Sequence, residues 1–281
     1  MSGYKIRFNG LDRLYDAYSW RLTRRAKKAW QTGQVIEGKF LQDFEAKVAD
    51  QSLRKFAVGV GSATDGLYFA MKSLGLTKDS VIACPVLTYI ATGGAIKRLG
   101  ARIEYIDVDQ YGSIGELKNT AKVDAVVYVN LYGNPADYNR LRKFCDDRRI
   151  PLIEDGAQSQ GAVYKDIPSG KMGDISVLSF APSKNLPCFG TGGLVLTDNV
   201  DVYHKVKALR KHGKGTKEYG YNSFLSDDHA NQLLLLLDKF PKLQKMRQKI
   251  YKRYQKQLDN IQFILKQDKD IKPSYHKCVI M

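Results

Sequence analysis

From residue 55 onward the chain alternates short apolar runs with helix-patterned segments, and few architectures accommodate that rhythm. The runs span residues 56–60, 81–84, 103–106, 125–129, 151–154, 176–180 and 193–197. Several are apolar without a clean in-out alternation, which is the pattern of strands buried on both faces. Helix-like stretches lie between many of them, at 64–74, 88–99 and 135–149, the last with Pro135 suited to a first helical turn. The alternation predicts an α/β domain with a mostly parallel sheet flanked by helices. Residues 175–197 break the rhythm, reading as strand, loop, strand with no helix between. That places a loop rich in functional residue types beside the sheet. After Leu233 the chain reads as helical and basic, and it closes on a predicted strand at 278–280.

With 281 residues, of which 43% are hydrophobic, the chain is large enough for a sizeable core. The net charge of +16 points to a partner that is nucleic acid, an acidic membrane surface or a phosphorylated small molecule. The lysines are dispersed, thickening only around 239–249. Apolar Leu243, Met246, Ile250 and Tyr254 recur there at helical spacing, so that stretch reads as an amphipathic helix with a solvated lysine face. No motif for nucleic acid accompanies the charge. Cys84, Cys145, Cys188 and Cys278 are scattered, without Cys-x-x-Cys or Cys/His spacing, as expected for reduced thiols in a cytoplasmic protein with no bound metal. No signal peptide is evident, and the longest apolar run, 233–237, is too short to cross a bilayer.

Three segments carry chemistry. Gly61-Ser-Ala-Thr-Asp-Gly66 follows a strand and opens a helix. Free N–H groups and hydroxyls there suit either a phosphate or a simple cap. Asp155 ends the run 151–154 at the carboxyl end of a strand, where open α/β sheets bind ligands. It reads as a cap, a metal ligand or the partner of a protonated ring nitrogen, and Gln158 reaches the same ligand or is a loop residue. Lys184, in Ser179-Phe-Ala-Pro-Ser-Lys-Asn-Leu186, lies just past a strand end and before Gly190-Thr-Gly-Gly193. A lone lysine is ordinarily surface decoration. One in a partly desolvated pocket can be neutral and form imines. A ligand with a phosphate, a basic ring nitrogen and an aldehyde satisfies all three segments, and pyridoxal phosphate (PLP) is such a ligand.

These residues stand in a recognisable order. Thr32-Gly-Gln-Val-Ile-Glu-Gly38, Pro85-Val-Leu-Thr-Tyr-Ile-Ala-Thr92, Leu131-Tyr-Gly-Asn-Pro-Ala-Asp137, Glu154-Asp-Gly-Ala-Gln158, Pro182-Ser-Lys-Asn-Leu186 and Gly220-Tyr-Asn-Ser223 resemble the DegT/DnrJ/EryC1/StrS family of sugar aminotransferases over nearly the whole chain. The resemblance implies the type I fold of PLP-dependent transferases, here with a shortened C-terminal domain. Residues 1–240 would form the large PLP-binding α/β domain with an N-terminal arm, and 241–281 a linker helix and the start of a small domain. It implies that Lys184 is the Schiff-base lysine, Asp155 the partner of the pyridinium nitrogen, Gln158 the neighbour of the ring's phenolic oxygen and Tyr89 the stacking aromatic. Ser62, Ala63, Thr64 and Ser179 fall at the phosphate. Asn222 matches an asparagine supplied by the neighbouring subunit, so the expected unit is a homodimer with shared active sites. The implied reactants are L-glutamate and a keto-sugar carried on a nucleoside diphosphate, with neither nucleic acid nor membrane as partner. Lys184, where some relatives have His, favours transamination over dehydration. This chain has Phe224 where the family usually carries a basic residue, and Gly94 where an Asn is common. It ends at His276-Lys-Cys-Val-Ile-Met281 where relatives continue for roughly another small half-domain.

Overall fold

The computed structural model describes residues 9–117, 122–258, 261–265 and 269–280. Two helices lead, α1 (Leu11–Trp30) and α2 (Lys39–Gln51). An α/β succession follows: β1 (Phe56–Val60), α3 (Ala63–Ser73), β2 (Val81–Pro85), α4 (Ile90–Leu99), β3 (Arg102–Ile106), β4 (Ala125–Val129), α5 (Tyr138–Arg148) and β5 (Leu152–Asp155). The chain continues through β6 (Val163–Tyr164), β7 (Ile167–Pro168), β8 (Ile175–Ser179), β9 (Gly193–Thr197), α6 (Val200–Leu209), α7 (Asp227–Gln257) and β10 (Ile271–Lys272).

Seven strands form one sheet in the order β1-β9-β8-β5-β4-β2-β3. Strands β2, β3, β4, β5 and β8 run parallel, whereas β9 pairs antiparallel with both β1 and β8. Ser179 pairs with Gly193, so the expected strand-loop-strand segment is one antiparallel connection with the Lys184 loop at its end. Strand β4 is buried along its whole length and carries Val126, Val127 and Val129, as its apolar run requires. Helices α3, α4 and α6 cover one face, packing Phe69, Ile96 and Val206 onto Val60, Ile82 and Val177. The other face is covered by α1, α2 and the first half of α7 at one end, and by α5 at the other. Phe44 meets Phe180 edge-to-face there, with centroids 5.2 Å apart. Each such fully buried side chain stabilises the fold by about 1.5–3 kcal/mol.

Several sequence expectations shift. The helix expected from 135 starts at Tyr138, because the Asp137 carboxylate caps it by accepting from the Arg140 N–H at 3.2 Å. The helix expected from 88 starts at Ile90. Residues 278–280 do not form a strand: Ile280 makes a single bridge to Phe263, and the strand that closes the small sheet is β10, paired with β6. No strand edge therefore stands open at 278–280. The predicted basic helix exists as the second half of α7, which runs unbroken through Pro241. Its apolar stripe is not buried, however, since Met246, Ile250 and Tyr254 remain about half exposed. Among the described residues no helix is long and apolar enough to cross a membrane, and no cluster of side chains is arranged to hold a metal ion.

Candidate active site

The parallel strands β2, β4, β5 and β8 all end on the same edge of the sheet, and their loops enclose a cavity of about 490 Å³. Ser62, Ala63, Thr64, Tyr89, Asp155, Gln158, Ser179 and Lys184 all line it. Eight of the nine residues singled out from sequence thus converge, from segments more than 120 positions apart. The ninth, Asn222, is exposed and does not line the cavity; it bridges to Lys211 on the surface.

One wall is the start of α3. Ser62 is extended, and its Oγ accepts from the Asp65 N–H at 3.1 Å. The N–H groups of Ala63 and Thr64, first in the helix, have no acceptor within it, so their partial positive charge faces the cavity side of the turn. Strand β9 passes this turn at close quarters. A Cβ on Gly193 would stand 2.6 Å from the Ala63 nitrogen, so only glycine lets the strand and the helix start touch.

The opposite wall carries Asp155. Strand alternation turns it toward α4, away from the face that takes its neighbour Glu154. Thr92 Oγ1 donates to Asp155 Oδ2 at 2.8 Å, and the Ala157 N–H donates to Oδ1 at 3.1 Å. Burial pushes the Asp155 carboxyl up from its ordinary pKa, against the opposing pull of Thr92, Ala157 and the Lys184 charge. Across the cavity, burial lowers the Lys184 pKa; Asp155 opposes that shift and Lys277 adds to it. The Lys184 Nζ lies 5.8 Å from the centre of the Tyr89 ring. Gln158 Oε1 accepts from the Tyr132 N–H at 2.9 Å, which leaves the amide NH₂ as its donor.

The Lys184 loop is held at its base and its tip. Phe180 N–H donates to Gly192 O and Cys188 N–H to Phe180 O, both within 2.9 Å. Asn185, 2% exposed, donates through Nδ2 to Gln160 O and Ser274 O, each at 3.2 Å, and its Oδ1 meets His276 Nδ1 at 2.9 Å. This ties the loop to the C-terminal segment and brings His276 and Lys277 onto the cavity wall. Burial, with Lys184, Lys277 and Arg247 nearby, drives the His276 pKa down to about 3. His276 and Lys277 were not anticipated as site residues, and neither were Thr88, Tyr132 and Thr191, which line the cavity, or Thr92, which donates to Asp155. Thr88 and Thr92 carried a usable signal, an i, i+4 hydroxyl pair at a helix start beside Tyr89.

The DegT/DnrJ/EryC1/StrS aminotransferase family model matches residues 20–281. The chain belongs to this family. It is 31% identical, over 82% of its length, to UDP-2-acetamido-2-deoxy-3-oxo-D-glucuronate aminotransferase of Pseudomonas aeruginosa, covering 66% of that protein. It is 30% identical, over 83% of its length, to a "Pleiotropic regulatory protein" of Geobacillus stearothermophilus, covering 64% of it. Among solved structures it resembles S. venezuelae DesV in complex with a ketimine intermediate, with a TM-score of 0.93 and 28% identity. That match spans 98% of this chain and 77% of DesV. The chain thus spans about two thirds of the curated relatives' length.

Proposed function

We propose that this chain binds PLP and acts as an aminotransferase, moving an amino group from L-glutamate to a keto-sugar carried on UDP, dTDP or GDP. The observation that carries the reading is the meeting of Asp155 and Lys184 on one cavity whose far wall is the start of α3. The residues fit the cofactor. Asp155 is a buried carboxylate with only two donors on it, and a protonated ring nitrogen supplies the counter-charge that its burial lacks. The Ala63 and Thr64 N–H groups and the Ser62 and Ser179 hydroxyls suit the phosphate. The NH₂ of Gln158 suits the phenolic oxygen, and Tyr89 suits the ring face.

When bound, PLP supplies the electron sink that lets a C–H bond beside an amino group ionise. The protein's part is positional and electrostatic. Asp155 would hold a proton on the ring nitrogen. Lys184, made less basic by burial, would hold the cofactor's aldehyde through Nζ with loss of one water, and as a free amine it would be placed to move a proton at the reacting carbon. Asn185 and the His276 segment hold the Lys184 loop in place. The exposed Asn222 suits a role in a neighbouring subunit's site, in a homodimer with shared active sites. Free, mostly buried thiols accord with a cytoplasmic enzyme. Relatives named as UDP-, dTDP- and GDP-sugar enzymes support amino-sugar synthesis for surface polysaccharides such as lipopolysaccharide O-antigen, or for natural products, as the setting.

The test is incubation of PLP-loaded protein with glutamate and a panel of keto-sugars on UDP, dTDP and GDP, following 2-oxoglutarate release and the mass of the amino sugar. Release beyond one equivalent per chain that depends on one keto-sugar class is the expected result. Cofactor uptake with no 2-oxoglutarate formed from glutamate, whichever keto-sugar is present, would rule the transaminase reading out.

A further inference from the structure

A second cavity, of about 580 Å³, shares Ser183, Lys184, His276 and Lys277 with the first and extends from them between α1 and α7. Its walls carry Arg13, Lys242, Arg247 and Lys277 besides Lys184, and among the described residues no Asp or Glu lines it. Like charges crowded in one concavity repel one another and raise the local concentration of anions.

Arg247 is part-buried on this wall. Among the described residues, Arg54, Arg142 and Arg210 are paired with carboxylates, of Asp198, Asp174, and Glu37 with Glu45, whereas Arg25 and Arg140 donate to neutral oxygens of Asn231, Gly115 and Ile114. Arg247 makes only neutral contacts, donating from Nη2 to Asn185 O at 3.0 Å and from Nη1 to Gln244 Oε1 at 3.4 Å. Burial alone lowers its pKa, with no carboxylate acting against it. A guanidinium that has lost water without gaining a counter-charge is costly in a folded protein. Its planar fork matches the oxygens of a phosphate or a carboxylate.

We propose that this cavity is an oxyanion subsite, with Arg247 as its principal ligand and Lys242 and Arg13 beside it. It would receive the phosphate or carboxylate end of a reactant whose other end lies against Lys184. The assignment of the anion to a reactant rests on the aminotransferase reading above; the anion site itself does not.

The test titrates PLP-loaded protein with UDP and, separately, with glutarate, in the wild type, Arg247→Gln and Arg247→Lys. Melting temperature and the visible cofactor band serve as controls. The wild type is expected to bind at least one probe, and Arg247→Gln to weaken it about tenfold to a hundredfold, the usual scale for a charge-assisted hydrogen bond. Arg247→Lys should recover part of that loss. Weakened UDP binding assigns the site to the diphosphate, and weakened glutarate binding assigns it to the amino donor. Should Arg247→Gln not fold, Lys242→Gln on the exposed side of α7 replaces it, with about a threefold weakening expected from loss of a partly exposed charge. A wild type that binds neither probe, or variants that bind both as tightly as the wild type, would overturn the proposal. If the wild type takes up no PLP, the aminotransferase reading fails, and the same titrations on unloaded protein still decide the anion site.

Discussion

Glu154 and Asp155 are consecutive carboxylates at the end of β5, both almost fully buried, and they live in opposite worlds. Glu154 points to the face covered by α5. It accepts from Asn130 Nδ2, Ser169 Oγ, Ser176 Oγ and the N–H groups of Gly170 and Met172, all within 3.2 Å. Arg54 locks the same region by donating to Gly170 O, Gly173 O and Ser176 Oγ. Asp155 points into the cavity with two donors and room for another. Counting donors separates a carboxylate that holds the fold from one that awaits a ligand, where burial alone does not. The side-chain period of a strand sorts the two roles onto opposite faces.

The largest expected effect tests the Glu154 side. Glu154→Gln sets an amide NH₂ against the Gly170 N–H and either the Asn130 NH₂ or the Met172 N–H, which can only donate, so urea unfolding should show a loss of about 3 kcal/mol or more. A variant as stable as the wild type would erase the contrast. Asp155→Asn should invert the pattern. Stability should change by less than about 1 kcal/mol, while the PLP dissociation constant, read from absorbance titration, rises about tenfold to a hundredfold. Thr92→Val removes one donor from Asp155 and should weaken PLP by about fivefold, with the core unaffected. The smallest effect concerns pH. His276 stays neutral in the folded chain down to about pH 3, whereas in the unfolded chain it takes a proton near 6.5. Protons therefore bind the unfolded state preferentially between those values, and stability rises with pH across that window. His276→Asn should flatten this slope by up to one proton, as measured by urea midpoints from pH 4 to 7.

Much of this was legible in residue order. The runs at β1, β4 and β9 agree with the observed strands residue for residue, because unbroken β-branched and apolar stretches between turn residues leave little choice. Helix starts were less legible. Pro135 suited a first turn, yet the Asp137 side chain decided where α5 begins. At 278–280 a local apolar run promised a strand, but strands need partners, and the small sheet takes Ile271 and Lys272 instead. In the site, Asp155, Lys184 and the α3 start lie at strand ends, a position that leaves cap and surface readings open, and their joint order and the family resemblance singled them out. His276, Lys277 and Arg247 did not, since only the Asn185 contacts and the packing of α7 bring them near Lys184.

The most direct test of the central claim is borohydride reduction of the wild-type chain after incubation with limiting PLP, followed by peptide mass mapping. The account requires one cofactor per chain, attached at Lys184 out of 30 lysines in the sequence. Its uptake should also be complete at a pH below the ordinary lysine range, since burial lowers the Lys184 pKa. Label spread over surface lysines, with Lys184 no more modified than the rest, would contradict it.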